Sequence, residues 1–114
     1  MPKKLKNKFE QRIDRQLKKA KVQYKYEAER LPYIFAGHYT ADFVVVLPTG
    51  KIYIETKGYF RPDAKRRMAA VKKLNPALDI RIIFYTKRPA DIRWAEKHGF
   101  KWAVGELPKE WLTC

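Results

Sequence analysis

Three residues near the middle of the chain carry the groups a hydrolytic site needs: Asp42, Glu55 and Lys57. The stretch they bracket reads as a β-hairpin. An apolar run from Phe43 to Leu47 leads into a Pro48-Thr49-Gly50 turn, followed by Lys51 and the β-branched and aromatic Ile52-Tyr53-Ile54. In an antiparallel pair of this length Asp42 and Glu55, 13 positions apart, fall at the same end. Side chains alternate faces along a strand, so Glu55 and Lys57 share one face while Thr56 points to the other. Two carboxylates and one ammonium therefore converge where a core hairpin should tolerate only apolar side chains.

Two carboxylates and a strand carbonyl are the oxygen donors that a hard cation such as magnesium takes while keeping waters for chemistry. The lysine can orient or help activate an attacking water, and its charge offsets the charge that develops on a phosphate. The plainer alternative is a same-face Glu55–Lys57 ion pair on a solvated strand edge. An Asp at the matched end of the hairpin favours the site over the ion pair.

Composition says what such a site would act on. The 114 residues fit one domain, residues 1–114, and 46% hydrophobic with 14% aromatic residues is a globular composition. Against 12 Asp and Glu stand 26 Lys and Arg, a formal net charge of +14, which points to a polyanionic partner. No run of about 18 apolar residues, signal-peptide core or acylation motif supports membrane attachment, so nucleic acid is the expected partner. The single cysteine, Cys114, is the last residue; it permits no intramolecular disulfide or cysteine-based zinc site, and a reducing cytoplasm is the expected setting.

The elements that must position the hairpin are legible on both sides of it. From Lys3 to Ala20, Leu5, Phe9, Ile13, Leu17 and Ala20 recur at helical spacing, and the remaining faces are mostly basic. Lys4, Lys8, Arg12 and Arg15 on those faces are expected phosphate contacts. Within this helix Glu10, Asp14 and Lys18 are spaced one turn apart, which by itself reads as an i, i+4 ladder. Val22 to Glu29 alternates as a half-buried strand, with Val22, Tyr24, Tyr26 and Ala28 on one face. The segment from Leu31 to His38 reads either as a buried loop or as a link between subunits.

After Lys57, Gly58 allows a sharp turn or a close backbone approach to a ligand. Tyr59 and Phe60 are rim packing or stacking groups. Pro62 starts a helix with Met68, Val71 and Leu74 inward and Lys65, Arg66, Arg67, Lys72 and Lys73 outward, a face able to meet phosphates. Asn75-Pro76 ends it. Asp79 to Tyr85 reads as a buried strand, Trp94 lies in a further helix capped at Gly99, and Lys101 to Val104 forms a short last strand. Tyr59, Arg61, Lys65, Arg66 and His38 complete the expected nucleic-acid contacts.

Asp42 followed by Glu55-Thr56-Lys57 matches the PD-(D/E)xK nuclease pattern, and the text around it resembles the phage endonuclease I family of Holliday-junction resolvases. The matching stretches are Tyr24 to Glu27, Leu31 to Tyr33, Tyr39 to Phe43, Ile54 to Gly58, Asn75 to Phe84, Glu96 to Gly99 and Leu107 to Trp111. Together they run over most of the chain.

The resemblance implies an α/β fold with a restriction-endonuclease-like core (αβββαβ), a central mixed sheet flanked by helices, in an element-exchanged homodimer. Residues 1–30 would be the exchanged helix and strand, 31–38 the bridge and 39–114 the catalytic core. It gives Glu10 the role of a metal-associated catalytic acid beside Asp42, Glu55 and Lys57. Asp42, Glu55 and the carbonyl of Thr56 would hold one Mg2+ and Glu10 would help place a second, with Mn2+ able to substitute. The activity implied is metal-dependent cleavage of four-way junctions and related branched DNA, in the host-cell cytoplasm. The chain departs from the family in a shorter bridge and in Ala41, where the family has proline before the aspartate. Two other readings stand beside this one: a nickase or mismatch nuclease using the same site, and a catalytically silent nucleic-acid-binding protein.

Overall fold

The computed structural model describes residues 7–33 and 37–113. The expectations for Lys4, the side chain of His38 and Cys114 lie outside the described residues.

Helix α1 (Lys8–Ala20) starts at Asn7, whose side chain accepts from the Glu10 amide at 2.8 Å, and stops at Lys21 in a left-handed conformation at φ 57°. Its expected stripe is inward: Phe9, Ile13 and Leu17 are buried. Complete burial of Ile13 and Leu17 stabilises the fold by about 1.5–3 kcal/mol each.

Five strands form the main sheet, in the order β1 (Gln23–Tyr26), β4 (Phe43–Leu47), β5 (Gly50–Lys57), β6 (Asp79–Phe84) and β7 (Lys101–Val104). Strands β1, β4 and β5 pair antiparallel, and β5, β6 and β7 pair parallel. Each parallel pair is bridged by a helix, α2 (Pro62–Leu74) and α3 (Pro89–Lys97), as parallel strands require. The result is the expected mixed sheet flanked by helices. On one face α1 packs Phe9, Ile13 and Leu17 near Phe43, Val45, Ile54 and Ile83. On the other, α2 and α3 bring Met68, Val71, Ile92 and Ala95 to Val44, Tyr53, Ile82 and Phe84. Successive residues of β4 and β5 thus alternate between two cores, as the pleat demands.

Five details differ from the expectation. The first strand is shorter than Val22–Glu29, because Glu27 takes φ 46° and ends the pairing. The segment expected as a loop or link contains a two-stranded antiparallel hairpin, β2 (Arg30–Tyr33) with β3 (Gly37–Thr40), which buries Leu31 and Tyr39 in the core shared with α2. Leu74 is 51% exposed because it is the last residue of α2, while Phe60 is core, its ring 4.9 Å from Trp94 and 6.0 Å from Phe84. Tyr85 lies just past β6 and is exposed.

Helix α1 is tied to the sheet by more than its apolar stripe. Tyr24 donates to Asp14 at 2.5 Å, and Gln16 makes a reciprocal pair with the Leu107 backbone, accepting from its amide at 2.9 Å and donating to its carbonyl at 3.4 Å. Arg12 donates to the Gly105 carbonyl at 3.1 Å. These ties fix the helix that carries Glu10. A short 3-10 turn, Lys109–Leu112, closes the described chain.

Candidate active site

The hairpin register sets the site. Phe43 pairs with Ile54, so Asp42 and Glu55 stand opposite one another one step further on. Both are buried, as is Glu10 on α1. Asp42 Oδ2 accepts from the Thr56 amide at 2.9 Å and from the Thr56 hydroxyl at 2.7 Å. Glu55 Oε1 accepts from the Tyr39 hydroxyl at 3.0 Å, and its Oε2 lies 3.1 Å from Lys57 Nζ. The Glu55–Lys57 ion pair of the plainer reading is therefore present, inside a site rather than on a solvated edge.

Glu10 arrives from the other side of the sheet. The Asn7 cap fixes its backbone, and Tyr26, whose ring packs on Phe43 with centroids 5.3 Å apart, donates its hydroxyl to Glu10 Oε1 at 2.8 Å. Glu27, left-handed just past β1, donates its amide to the Asp42 carbonyl at 2.9 Å. One carboxylate oxygen from each of Glu10, Glu27 and Asp42 lies within 4.8 Å of the others. Glu55 stands beside this triplet.

Such crowding has an electrostatic cost. Burial first, and then the charge of Glu55, push the Asp42 carboxyl up to about 7, against the opposing effect of the two Thr56 donors and of Glu10. The Tyr39 hydroxyl is pushed well above its ordinary value by burial, then by the charges of Glu55 and Asp42 and its bond to Glu55. Tyr26 is raised by burial and by its bonds to Glu10 and Glu27. Both phenols stay protonated and serve as donors. Packed oxygen donors, one of them disfavoured as an anion when alone, are a set that a hard divalent cation fits.

Glu10, Asp42, Glu55, Thr56 and Lys57 all line one cavity of about 320 Å³, together with Tyr39 and, from α2, Arg67. All four expected catalytic residues thus meet in one place. Thr56 meets Asp42 through its amide and hydroxyl, groups that the family resemblance, which assigns its carbonyl, does not name. Sequence reasoning missed Tyr39, Glu27 and the role of the Tyr26 hydroxyl, and it read Arg67 only as an outward cation able to face phosphates. Glu27, read as part of the first strand, gave no signal of its role, whereas Arg67 was legible as a cation beside the inward stripe of α2.

The expected nucleic-acid contacts divide. Lys8, Arg15 and Arg66 are exposed. Lys65 is held 2.9 Å from Asp91 of α3, and Arg12 is engaged with Gly105. Arg61, 3.8 Å from Asp63, is loosely paired at the surface. Tyr59 is 67% exposed, with Arg88 5.5 Å from its ring centre.

The fold has a solved counterpart. A crystal structure of a protein of unknown function, AF1548, matches with a TM-score of 0.59 at 18% identity, over 91% of this chain and 61% of that one, so the chain spans less than two thirds of that structure. The likeness shows a shared fold alone. The sequence defines the class, an endonuclease: the family described as Phage endonuclease I matches residues 3–114. Endonuclease I of Escherichia phage T7 is 33% identical over 115 residues, covering 91% of this chain and 75% of that protein. Endodeoxyribonuclease 1 of Enterobacteria phage T3 is 33% identical over 111 residues, covering 88% of this chain and 71% of that one. The chain belongs to the phage endonuclease I family, as its motifs led us to expect. Among the described residues no helix is long and apolar enough to cross a membrane.

Proposed function

We propose that this chain is a metal-dependent endodeoxyribonuclease that cuts four-way junctions and related branched DNA, acting as a homodimer in the host-cell cytoplasm. The observation that carries the reading is the convergence of Glu10, Asp42, Glu55 and Lys57 on one cavity in a chain of net charge +14. Buried acids facing a polyanion would oppose its binding unless a cation neutralises them. That argues against a silent binder.

Asp42, Glu55, Glu10 and the Thr56 carbonyl would hold Mg2+, with Mn2+ able to substitute. When bound, the metal supplies charge neutralisation for the phosphate and a more acidic water. The chain's own groups do the positioning. Tyr39 fixes Glu55, Thr56 fixes Asp42, and Lys57, anchored on Glu55, holds the water in line with phosphorus. Attack of the water oxygen on phosphorus forms one P–O bond and breaks the P–O bond to the leaving sugar oxygen. The water gives up a proton and the leaving oxygen takes one up.

Two sites in a dimer would nick two opposed strands, and recognition would follow branch geometry because phosphate positions, not base edges, are what a basic surface matches. Within one chain β1 pairs with β4, and a carboxylate oxygen of Glu10 lies within 4.8 Å of one of Asp42. An exchanged dimer would make the same contacts between protomers, with residues 31–38 as the bridge.

The test is cleavage of a labelled four-way junction beside a linear duplex of the same sequence, in Mg2+ and in EDTA. Cutting of the junction alone, dependent on Mg2+, is expected. Equal cutting of both substrates makes the chain a general nuclease or nickase. A folded protein that binds the junction without cutting it is a silent binder.

A further inference from the structure

The cavity holds more negative than positive charge. Glu10, Asp42 and Glu55 line it, and Glu27 contributes a carboxylate oxygen to the group around Asp42. Lys57, the cation that the motif supplies, is spoken for by Glu55 at 3.1 Å. A phosphodiester entering this space brings one negative charge, and its hydrolysis spreads more over the non-bridging oxygens.

One further cation lines the cavity: Arg67. It lies on α2 between Ala64 and Met68, which line the same wall, and Met68 is buried in the core, so the helix itself sets the direction of this side chain. The neighbouring cations of α2 have other fates. Lys65, two positions earlier, is paired with Asp91, and Arg66 is exposed without lining the cavity. Among the described residues Arg67 makes no ion pair within 4.0 Å. It is exposed, so its guanidinium stays hydrated until a ligand arrives. A planar fork of donors matches two oxygens of a phosphate, which the point charge of Lys57 does not.

We propose that Arg67 is a catalytic residue, whose guanidinium grips the non-bridging oxygens of the scissile phosphate across the cavity from Asp42 and Glu55. The proposal rests on the phosphodiesterase reading of the site. It assigns separate tasks to two cations: Lys57 orients the water, and Arg67 neutralises charge as it grows on phosphorus.

Two measurements test it, on the full chain. The first follows the guanidinium NMR signals of the protein in Mg2+ while inorganic phosphate is added. The Arg67 signal, assigned by its loss in Arg67→Lys, should move, and the weak phosphate binding should disappear in Arg67→Ala. A signal that stays still overturns the proposal, whether or not DNA is cut.

The second is single-turnover cleavage of the four-way junction at saturating enzyme. Arg67→Ala should slow it roughly 100-fold or more, while junction affinity in Ca2+ changes less than about threefold. Millimolar guanidinium should restore part of the rate in Arg67→Ala and none in the wild type or in Lys97→Ala, whose exposed lysine sits on α3. An equal loss of affinity and rate, or no rescue, makes Arg67 a structural residue and overturns the proposal. Absence of cleavage by the wild type refutes the nuclease reading separately, and the phosphate titration then decides the role of Arg67 alone.

Discussion

Thr56 reaches one oxygen of Asp42 twice, with its amide at 2.9 Å and its hydroxyl at 2.7 Å. The amide comes with the strand, whereas the hydroxyl is specific to this side chain. Thr56→Val keeps the β-branched shape and removes only the second donor. In metal-free protein at pH 8 we expect a loss of about 2 kcal/mol, the usual value of a hydrogen bond to a charged group. Urea unfolding measures it. Mn2+ affinity, read by calorimetry, should fall about tenfold because Asp42 loses its orienting partner. Unchanged affinity would mean that the amide alone orients the carboxylate.

Asp42 should also make the metal-free protein less stable as pH rises. Its carboxyl titrates near 3.8 when unfolded and about 7 in the fold. Between those values the folded state holds more protons, so stability declines with pH across that window, and the cost is complete above about 7. Glu29, held down by Lys51, and Asp79, held down by Arg81, act with the opposite sign. Their contributions are lost only as pH falls below the ordinary carboxylate range. In EDTA, the Tm of the wild type should therefore fall from pH 5 to pH 8 relative to Asp42→Asn. The variant should be the more stable at pH 8, by a few kcal/mol. Parallel pH profiles for the two proteins would refute this account.

These features were not equally legible in the sequence. The hairpin register was, because a turn at Pro48-Thr49 and a period of two leave one pairing that puts the apolar residues inside, and that pairing sets Asp42 opposite Glu55. The stripe of α1 was readable for the same reason. Glu10 was reached only through the family resemblance: a helix pattern says which face is buried but not where on the sheet it lands, and here the Gln16–Leu107 pair joins residues 91 positions apart. The β2–β3 hairpin escaped because Pro32 and Gly37 read as loop residues. Tyr26 was read on the inward face of a half-buried strand, and its ring does pack on Phe43; its hydroxyl, which finds Glu10, follows from tertiary packing. Lys65 was read as a free cation because nothing local announces Asp91 on another helix.

Tyr39 came from that unread hairpin, and its hydroxyl is the buried donor that holds Glu55 Oε1 at 3.0 Å. Tyr39→Phe removes the donor while keeping the ring in the core. Glu55 is then anchored by Lys57 alone, so we expect Mn2+ affinity to fall about 10- to 100-fold, in the range seen when a partner of a metal ligand is lost. The fold and junction binding in EDTA should be retained. Calorimetry with the variant checks the first expectation, and gel-shift titration the second. If affinity for Mn2+ is unchanged, Tyr39 contributes packing only.

Salt dependence separates the cations that reach DNA from those the fold has already used. Each phosphate contact releases counterions on binding, so removing one lowers the slope of log K against log salt by about 0.9. Arg15 and Arg66 are exposed, and Arg15→Ala and Arg66→Ala should each lower the slope by about that amount. Lys65→Ala should leave the slope alone, because its ammonium lies 2.9 Å from Asp91 with both side chains largely shielded, at 25% and 10% exposure. Its cost should appear in stability, above the roughly 1 kcal/mol of an exposed pair, since Asp91 is left without its partner. Junction binding titrated from 50 to 200 mM salt, roughly the range over which such slopes are read, distinguishes the cases. A full unit lost in Lys65→Ala would mean that DNA draws the lysine off Asp91, and that the α2–α3 pair opens when the substrate binds.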